Sequence, residues 1–332
     1  MATDLLCLTN EGGQPVLVPL LQATLAIGND GRLQWLEEQP PPDLAGAYWG
    51  DPATSSLKQD TQLAFVKSST DVVLIGHAVA TSPGMRESQV GIRVGPVQKT
   101  AKVCGDRKWL KGLGGPGIGK PEPFDRIPLV YERAFGGWDR RHEDPDKHAC
   151  EPRNPVGVGH VVDKSLAPAD DAVLPNIEDP AAPYRRYGDR PPPAGFGFIA
   201  AHWQPRSAFA GTYDAAWDKS RKPLLPRDFD RRFFNAASPG LIAREYLKGD
   251  EPVVVMGVTR AGRLDFKLPA IAPPTCVVHF HARKQQALQS VLDTVIVDMD
   301  ALTLTLMWRC HVVTRHGLHD VAAVAVMSSS IQ

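Results

Sequence analysis

In the first third of the chain the apolar positions fall in the short alternating runs of β-strands. "VLVPLLQATLAI" (16–27) is followed by Asn29, Asp30 and Gly31, which tolerate positive φ, and then by "RLQWL", so the spacing predicts a hairpin. "DVVLIGHAVA" (71–80) has strand length and β-branched content. In "VGIRVGPVQKTAKV" Val90, Ile92 and Val94 alternate up to a break at Gly95 and Pro96. The pattern returns after Pro252. "PVVVMGV" meets "RLDFKL" across residues 259–262, with Leu264, Phe266 and Leu268 on one face. In "DTVIVDMDALTLTLMW" a second limb alternates Leu302, Leu304, Leu306 and Trp308.

Helical spacing is scarce. In "GTYDAAWDKSRKP" (211–223) Thr212 is placed to cap, Asp214 sits in the first turn, Tyr213 and Trp217 share a face, and Pro223 stops the helix. "RDFDRRFFNAA" (227–237) predicts a second short helix, with Phe229 and Phe233 four apart. No repeat recurs at a fixed period. These patterns predict a mainly β fold of packed antiparallel sheets, sandwich- or barrel-like, with a long Pro/Gly-rich loop region and a few short helices.

Composition sharpens that picture in the middle. Of 30 prolines, sixteen lie between Pro121 and Pro226, where they withhold N–H groups from any helix or ladder. Tyr131, Phe135, Trp138, Phe196, Phe198, Trp203, Tyr213 and Trp217 occupy the same stretch, and disordered chains lack such aromatics. The chain therefore reads as one unit, 1–332, with a β part at 1–120, an ordered loop-rich part at 121–240 and a second β part at 241–332. Lys plus Arg equals Asp plus Glu at 37 each, so no basic excess points to nucleic acid or anionic lipid. The five cysteines show no CxxC spacing, the first fifteen residues lack the basic and apolar regions of an export signal, and no eighteen apolar residues run together. A cytoplasmic protein is expected.

Several stretches invite a chemical reading. In "GLGGPGIGKPEP" (112–123) Gly114, Gly119 and Lys120 have the spacing of a phosphate-cradling loop. The preceding residues are polar, Pro121 stands where Ser or Thr must ligate magnesium, and two further prolines, Pro123 and Pro128, occupy the place of the helix, so no nucleotide site is expected. "RHEDPDKHAC" gathers His142, Glu143, Asp144, Asp146, His148 and Cys150 in the spacing of a solvated loop rather than a zinc site. His279 and His281 share a strand face with no third ligand. Asp228 and Asp230 begin like a calcium loop but meet Arg232 at its fifth position. Arg227, Arg231 and Arg232 beside them predict an ion-paired structural corner and not an acid/base pair. No cofactor or metal is expected.

Taken together, the motifs of the middle third carry a resemblance. "FDRIPLVYERAFGG", "RNPVGVG", "LPNIEDP", "PAGFGFIAAHWQPRSAFAGTYDAAW" and "KPLLPRDFDRRFFNAA" follow in an order and spacing that resemble the bacterial family called domain of unknown function 2169. The likeness extends outward to "DVVLIGHAVA" and "LDTVIVD" and so covers nearly the whole chain. It implies a cytoplasmic adaptor or chaperone that binds a type VI secretion effector and helps load it onto the spike, with the spike or its tip as a further partner. It implies a carrier and not an enzyme. The positions it marks are Tyr131, Glu132, Arg133 and Phe135; Arg153 and Asn154; Tyr213, Asp214 and Trp217; and Asp228, Asp230, Phe233 and Asn235.

A surface that binds protein needs aromatic and Arg anchors on a stiff support, and proline-rich loops on a β scaffold supply one. Trp138, Trp203 and Trp217 are the candidate anchors. The alternative is a hydrolase using Asp228, Asp230 or Glu132 in a loop-lined cleft, which requires a deep pocket and a shifted carboxylate. A structural ring of the secretion apparatus is a third reading.

Overall fold

The computed structural model describes residues 1–110, 112, 115–169 and 172–327; Gly114 of the phosphate-loop-like stretch lies outside them. Among the described residues twelve strands are four residues or longer: β1 (Ala2–Thr9), β2 (Pro15–Ile27), β3 (Asp71–Ile75), β4 (Glu87–Val94), β5 (Val97–Cys104), β6 (Pro252–Met256), β7 (Arg263–Lys267), β8 (Thr275–Phe280), β9 (Gln286–Gln289), β10 (Val291–Asp298), β11 (Thr303–Arg309) and β12 (Val321–Met327).

They form a mainly β structure of several packed sheets, and no closed barrel appears among the described residues. The largest sheet runs β1-β2-β11-β10-β3, with Leu33–Trp35 and Val312–Val313 also pairing β2. Its strands are antiparallel except β10 and β3, which run parallel with Val295 opposite Val72. Apolar residues of both parities in β2 explain its near-complete burial on both faces. The predicted hairpins form: β2 turns through Gly31 onto Leu33–Trp35, β4 through Gly95 and Pro96 onto β5, β6 onto β7, and β10 onto β11. Leu302 departs from expectation. It sits at φ 53 in the turn before β11, so its side chain is exposed while Leu304, Leu306 and Trp308 are buried.

A second sheet runs Ile177–Glu178, β5, β4, β6, β7, and a third runs β9-β8-β12. One apolar cluster fills the space between, drawing on Leu21 of β2, Val103 of β5, Phe196, Phe198 and Trp203 of the middle third, and Leu306 of β11.

Regular structure in the middle third shrinks to two- and three-residue pairings and short turns, as the prolines require. Its only α-helix among the described residues is α1 (Ala215–Ser220). Asp214, not Thr212, caps it, its carboxylate accepting from the Trp217 N–H at 2.8 Å. The second expected helix is a 3-10 turn, Arg231–Phe234, which Asp230 caps. Four residues without a longer periodic stripe cannot nucleate more.

What holds this region is a set of buried polar side chains bonded to main-chain groups. Asn154 donates to the carbonyls of Tyr131 at 2.8 Å and Phe135 at 2.9 Å. Gly136 and Gly137 let the chain pass against it: a Cβ on Gly136 would stand 2.1 Å from the Asn154 carbonyl oxygen, and one on Gly137 2.0 Å from that of Gly157. Arg206 binds Asp60 through both terminal nitrogens and donates to the carbonyls of Phe233 and Ile199, each at 2.8 Å. Asn235 donates to the Ser69 carbonyl and to Asp71, which also meets Lys67 at 2.9 Å.

Candidate functional site

The loops of the middle third close over β5 and leave two adjoining cavities, of about 320 Å³ and about 380 Å³, that share Ile199, Pro205 and Pro239. Together they make one groove. Pro192 and Pro193 wall the first half, and prolines without N–H groups leave that wall apolar. Phe209 and Ile242 line the second half, where Ile242 is exposed.

Lys99 stands in the first half. Alternation along β5 puts it on the inward face with Val97, Ala101 and Val103, which are buried. Its ammonium donates to Ser238 Oγ at 2.6 Å and the Pro239 carbonyl at 2.8 Å, and lies 6.0 Å from the centre of the Phe196 ring. Burial pulls its pKa down to about 8, with the charge of Asp179 acting in the opposite sense. Tyr131 donates to the same Ser238 oxygen at 2.9 Å and packs edge-on against Trp203. Burial pushes the Tyr131 phenol up to about 12, so it remains a donor. Ser238 in turn donates to the Gly195 carbonyl at 2.7 Å. The Ser238 proton is thus committed away from Lys99, and Lys99 presents charge to the groove and does not take up a proton from the hydroxyl.

Arg153 flanks this cluster, held by Glu151 at 2.6 Å and 2.9 Å. Burial opposes ionisation of Glu151, but hydrogen bonds from Arg153 outweigh it and keep the carboxyl below its ordinary range. In the second half Arg232 pairs with Asp230 and stacks 4.3 Å over Phe209. Arg244 is exposed and meets no carboxylate among the described residues. Against these cations the groove sets one lining carboxylate, Asp179. The arrangement suits an extended chain segment with apolar and acidic side chains.

Of the residues marked in the sequence, the groove collects Tyr131, Arg153 and Asn235. Phe135, Asn154 and Trp203 are buried, so none of the three is a surface anchor; the packing of Trp203 under Tyr131 makes it core. Trp138 is 50% exposed with Arg140 stacked at 5.0 Å, and lines a separate cavity of about 260 Å³ with Asp139 and Tyr187. Tyr213 and Trp217 pack on each other beside α1, and Trp217 donates to the Leu224 carbonyl.

The carboxylates weighed for hydrolysis are engaged elsewhere. Glu132 accepts from the Ser56 N–H and hydroxyl, each at 2.7 Å, while Arg133 reaches Asp106 and Asn176. Asp228 accepts from the Thr212 N–H and hydroxyl, which lower its pKa, and hydrogen bonds from Arg232 do the same for Asp230. The expected ion-paired corner is therefore half formed. Asp228 binds Thr212, and Arg231 turns away to Glu11, because the 3-10 turn splays the arginines apart. His142 caps Asp144, and among the described residues no three His, Cys, Asp or Glu side chains converge on a metal position, at His279 and His281 included.

Lys99, Asp179, Ser238 and Arg244 are not among the positions singled out from the sequence, although Asp179 falls within the motif "LPNIEDP". One signal was present for Lys99: a lysine at an inward parity position of an otherwise apolar strand face. The others come together only through the fold.

No helix of the described residues is long and apolar enough to cross a membrane. Comparison with curated proteins and with solved structures finds no match. The profile of the uncharacterized proteins conserved in bacteria, domain of unknown function 2169, matches residues 12–309, a span holding every element of the groove, and the chain belongs to that family.

Proposed function

We propose that this protein is a cytoplasmic carrier that binds a type VI secretion effector, keeps it soluble and hands it to the spike. The observation that carries the reading is the open, proline-walled groove lined by Tyr131, Arg153 and Asn235, three of the positions that the family resemblance marks. Proline walls are stiff before binding, so little ordering entropy opposes docking of an extended segment. Engagement of Glu132, Asp228 and Asp230 by neighbouring donors supports a binding role over a hydrolytic one.

The test is affinity purification from the native host with mass spectrometry, followed by co-expression with the effector so identified and a secretion assay in a deletion strain. The two proteins are expected to co-elute, and deletion is expected to lower effector abundance and secretion. No co-eluting effector, together with unchanged secretion after deletion, refutes the proposal.

A further inference from the structure

Four cations are fully buried among the described residues, and each brings its own carboxylate. Lys67 meets Asp71 at 2.9 Å, Arg107 meets Glu178 at 2.7 Å, Arg206 meets Asp60 at 2.9 Å and Arg309 meets Asp293 at 2.6 Å. That is the arrangement buried charge requires. Lys99 is built differently. It starts from the inward face of β5 but is half-buried, reaching the cavity, and its partners are two neutral oxygens, Ser238 Oγ and the Pro239 carbonyl. Asp179 lines the same cavity and acts on it through charge alone, without an ion-pair contact. An ammonium has three donors, and two are used among the described residues.

We propose that the missing anion comes from the bound protein: the Lys99 cavity receives an Asp or Glu side chain of an extended acidic and apolar segment, which continues past Pro205 and Pro239 toward Arg244. The cavity has room for such a side chain, at about 320 Å³. The shared lining of the two cavities argues for a segment that passes through over one that ends there, and thus for a side chain and not a chain terminus. Charge complementarity names the chemistry, since Lys99 and Arg244, which meet no carboxylate among the described residues, face one lining carboxylate, Asp179, while Arg153 is already held by Glu151.

This inference rests on the carrier reading, but part of its test does not. Protein labelled with ¹³C at lysine Cε is titrated with 4-phenylbutyrate and, separately, with its uncharged amide. The carboxylate is expected to shift the Lys99 resonance and raise the pH at which it titrates, the amide to do neither, and Lys99→Met to remove the shifted signal while the far-ultraviolet spectrum stays unchanged. Identical responses to acid and amide, or no response of Lys99 to either at millimolar concentration, overturn the inference. In the second arm the effector is captured by wild type, Lys99→Gln and Arg244→Ser, with an expected loss of about tenfold or more for Lys99→Gln and a smaller loss for Arg244→Ser. Undiminished capture by both variants sinks the Lys99 inference and leaves the carrier standing. If wild type captures no effector the carrier reading fails, and the resonance titration still decides what the cavity binds.

Discussion

The central sheet and the proline-rich middle third both bury main chain, and they satisfy it by different means. In the sheet the ladder between β2 and β11 is made by the backbone itself, from Leu20 opposite Arg309 to Ala26 opposite Thr303. In the middle third a few buried side chains do that work: Asn154 on two carbonyls, Arg206 on two, Asn235 on the loop before β3. A ladder keeps its hydrogen bonds whichever non-proline side chain replaces another. A scaffold of side-chain staples fails where a staple is removed, because the orphaned carbonyl has no neighbour strand to turn to.

The sharpest way to break this contrast is at Asp71, where the two systems join. It accepts from Lys67, from Asn235 and from the Ala236 N–H inside a fully buried site. Asp71→Ala strands Lys67, and a loss of about 3–5 kcal/mol in denaturant unfolding is expected. Next in size is Asn154→Ala, which leaves the Phe135 carbonyl unpaired at a cost of about 1–3 kcal/mol, while the Tyr131 carbonyl keeps the Ala134 N–H at 3.1 Å. Its counterpart in the sheet, Thr305→Val on β11, removes one weak hydroxyl contact to Thr24 and is expected to change stability by less than about 1 kcal/mol. Equal losses from Asn154→Ala and Thr305→Val would contradict the contrast.

A smaller effect follows from Lys99. Its folded pKa of about 8 lies below the ordinary 10.5, so between those values the unfolded chain binds more protons than the folded one. The penalty of burying the charge is full below pH 8 and fades as pH rises toward 10.5. Wild type should therefore gain stability across that window relative to Lys99→Met, and a pH-independent difference between the two would count against a desolvated ammonium without a carboxylate partner. Least of all is expected from Asp228→Ala and Asp230→Ala. Thr212 holds Asp228 at the exposed surface, so its replacement should leave the unfolding midpoint nearly unmoved, and Asp230 caps a single 3-10 turn, so its loss should be about 1 kcal/mol or less in the same unfolding measurement.

Strand periodicity made most of the fold legible. Alternating Leu304, Leu306 and Trp308 named the buried face of β11, and Gly95 with Pro96 named the turn between β4 and β5. The parallel pairing of β10 with β3 was not legible, because alternation specifies a face and not a neighbour. In the middle third the motifs were visible but their roles were not. Asn154 and Asn235 look like surface polar residues until their carbonyl partners are known, and Trp203 differs from Trp138 only in what packs around it. The groove was hidden for the same reason: Lys99 and Ser238 stand 139 residues apart and meet only in the folded chain.

The strand order of the central sheet also dictates a sequence in time. β10 and β11 lie between β2 and β3 in space, although the whole middle third and the second sheet are synthesised first; Thr24 faces Thr305 across 281 residues of chain. A ribosome moving at about 5–20 residues per second leaves β2 and β3 waiting on the order of ten seconds or more for the strands that separate them. Through that interval thirteen almost wholly apolar residues of β2 have no permanent partner on one side. Such non-local pairing is slow to form, so the nascent chain depends on whatever shields β2 until the last hairpin emerges.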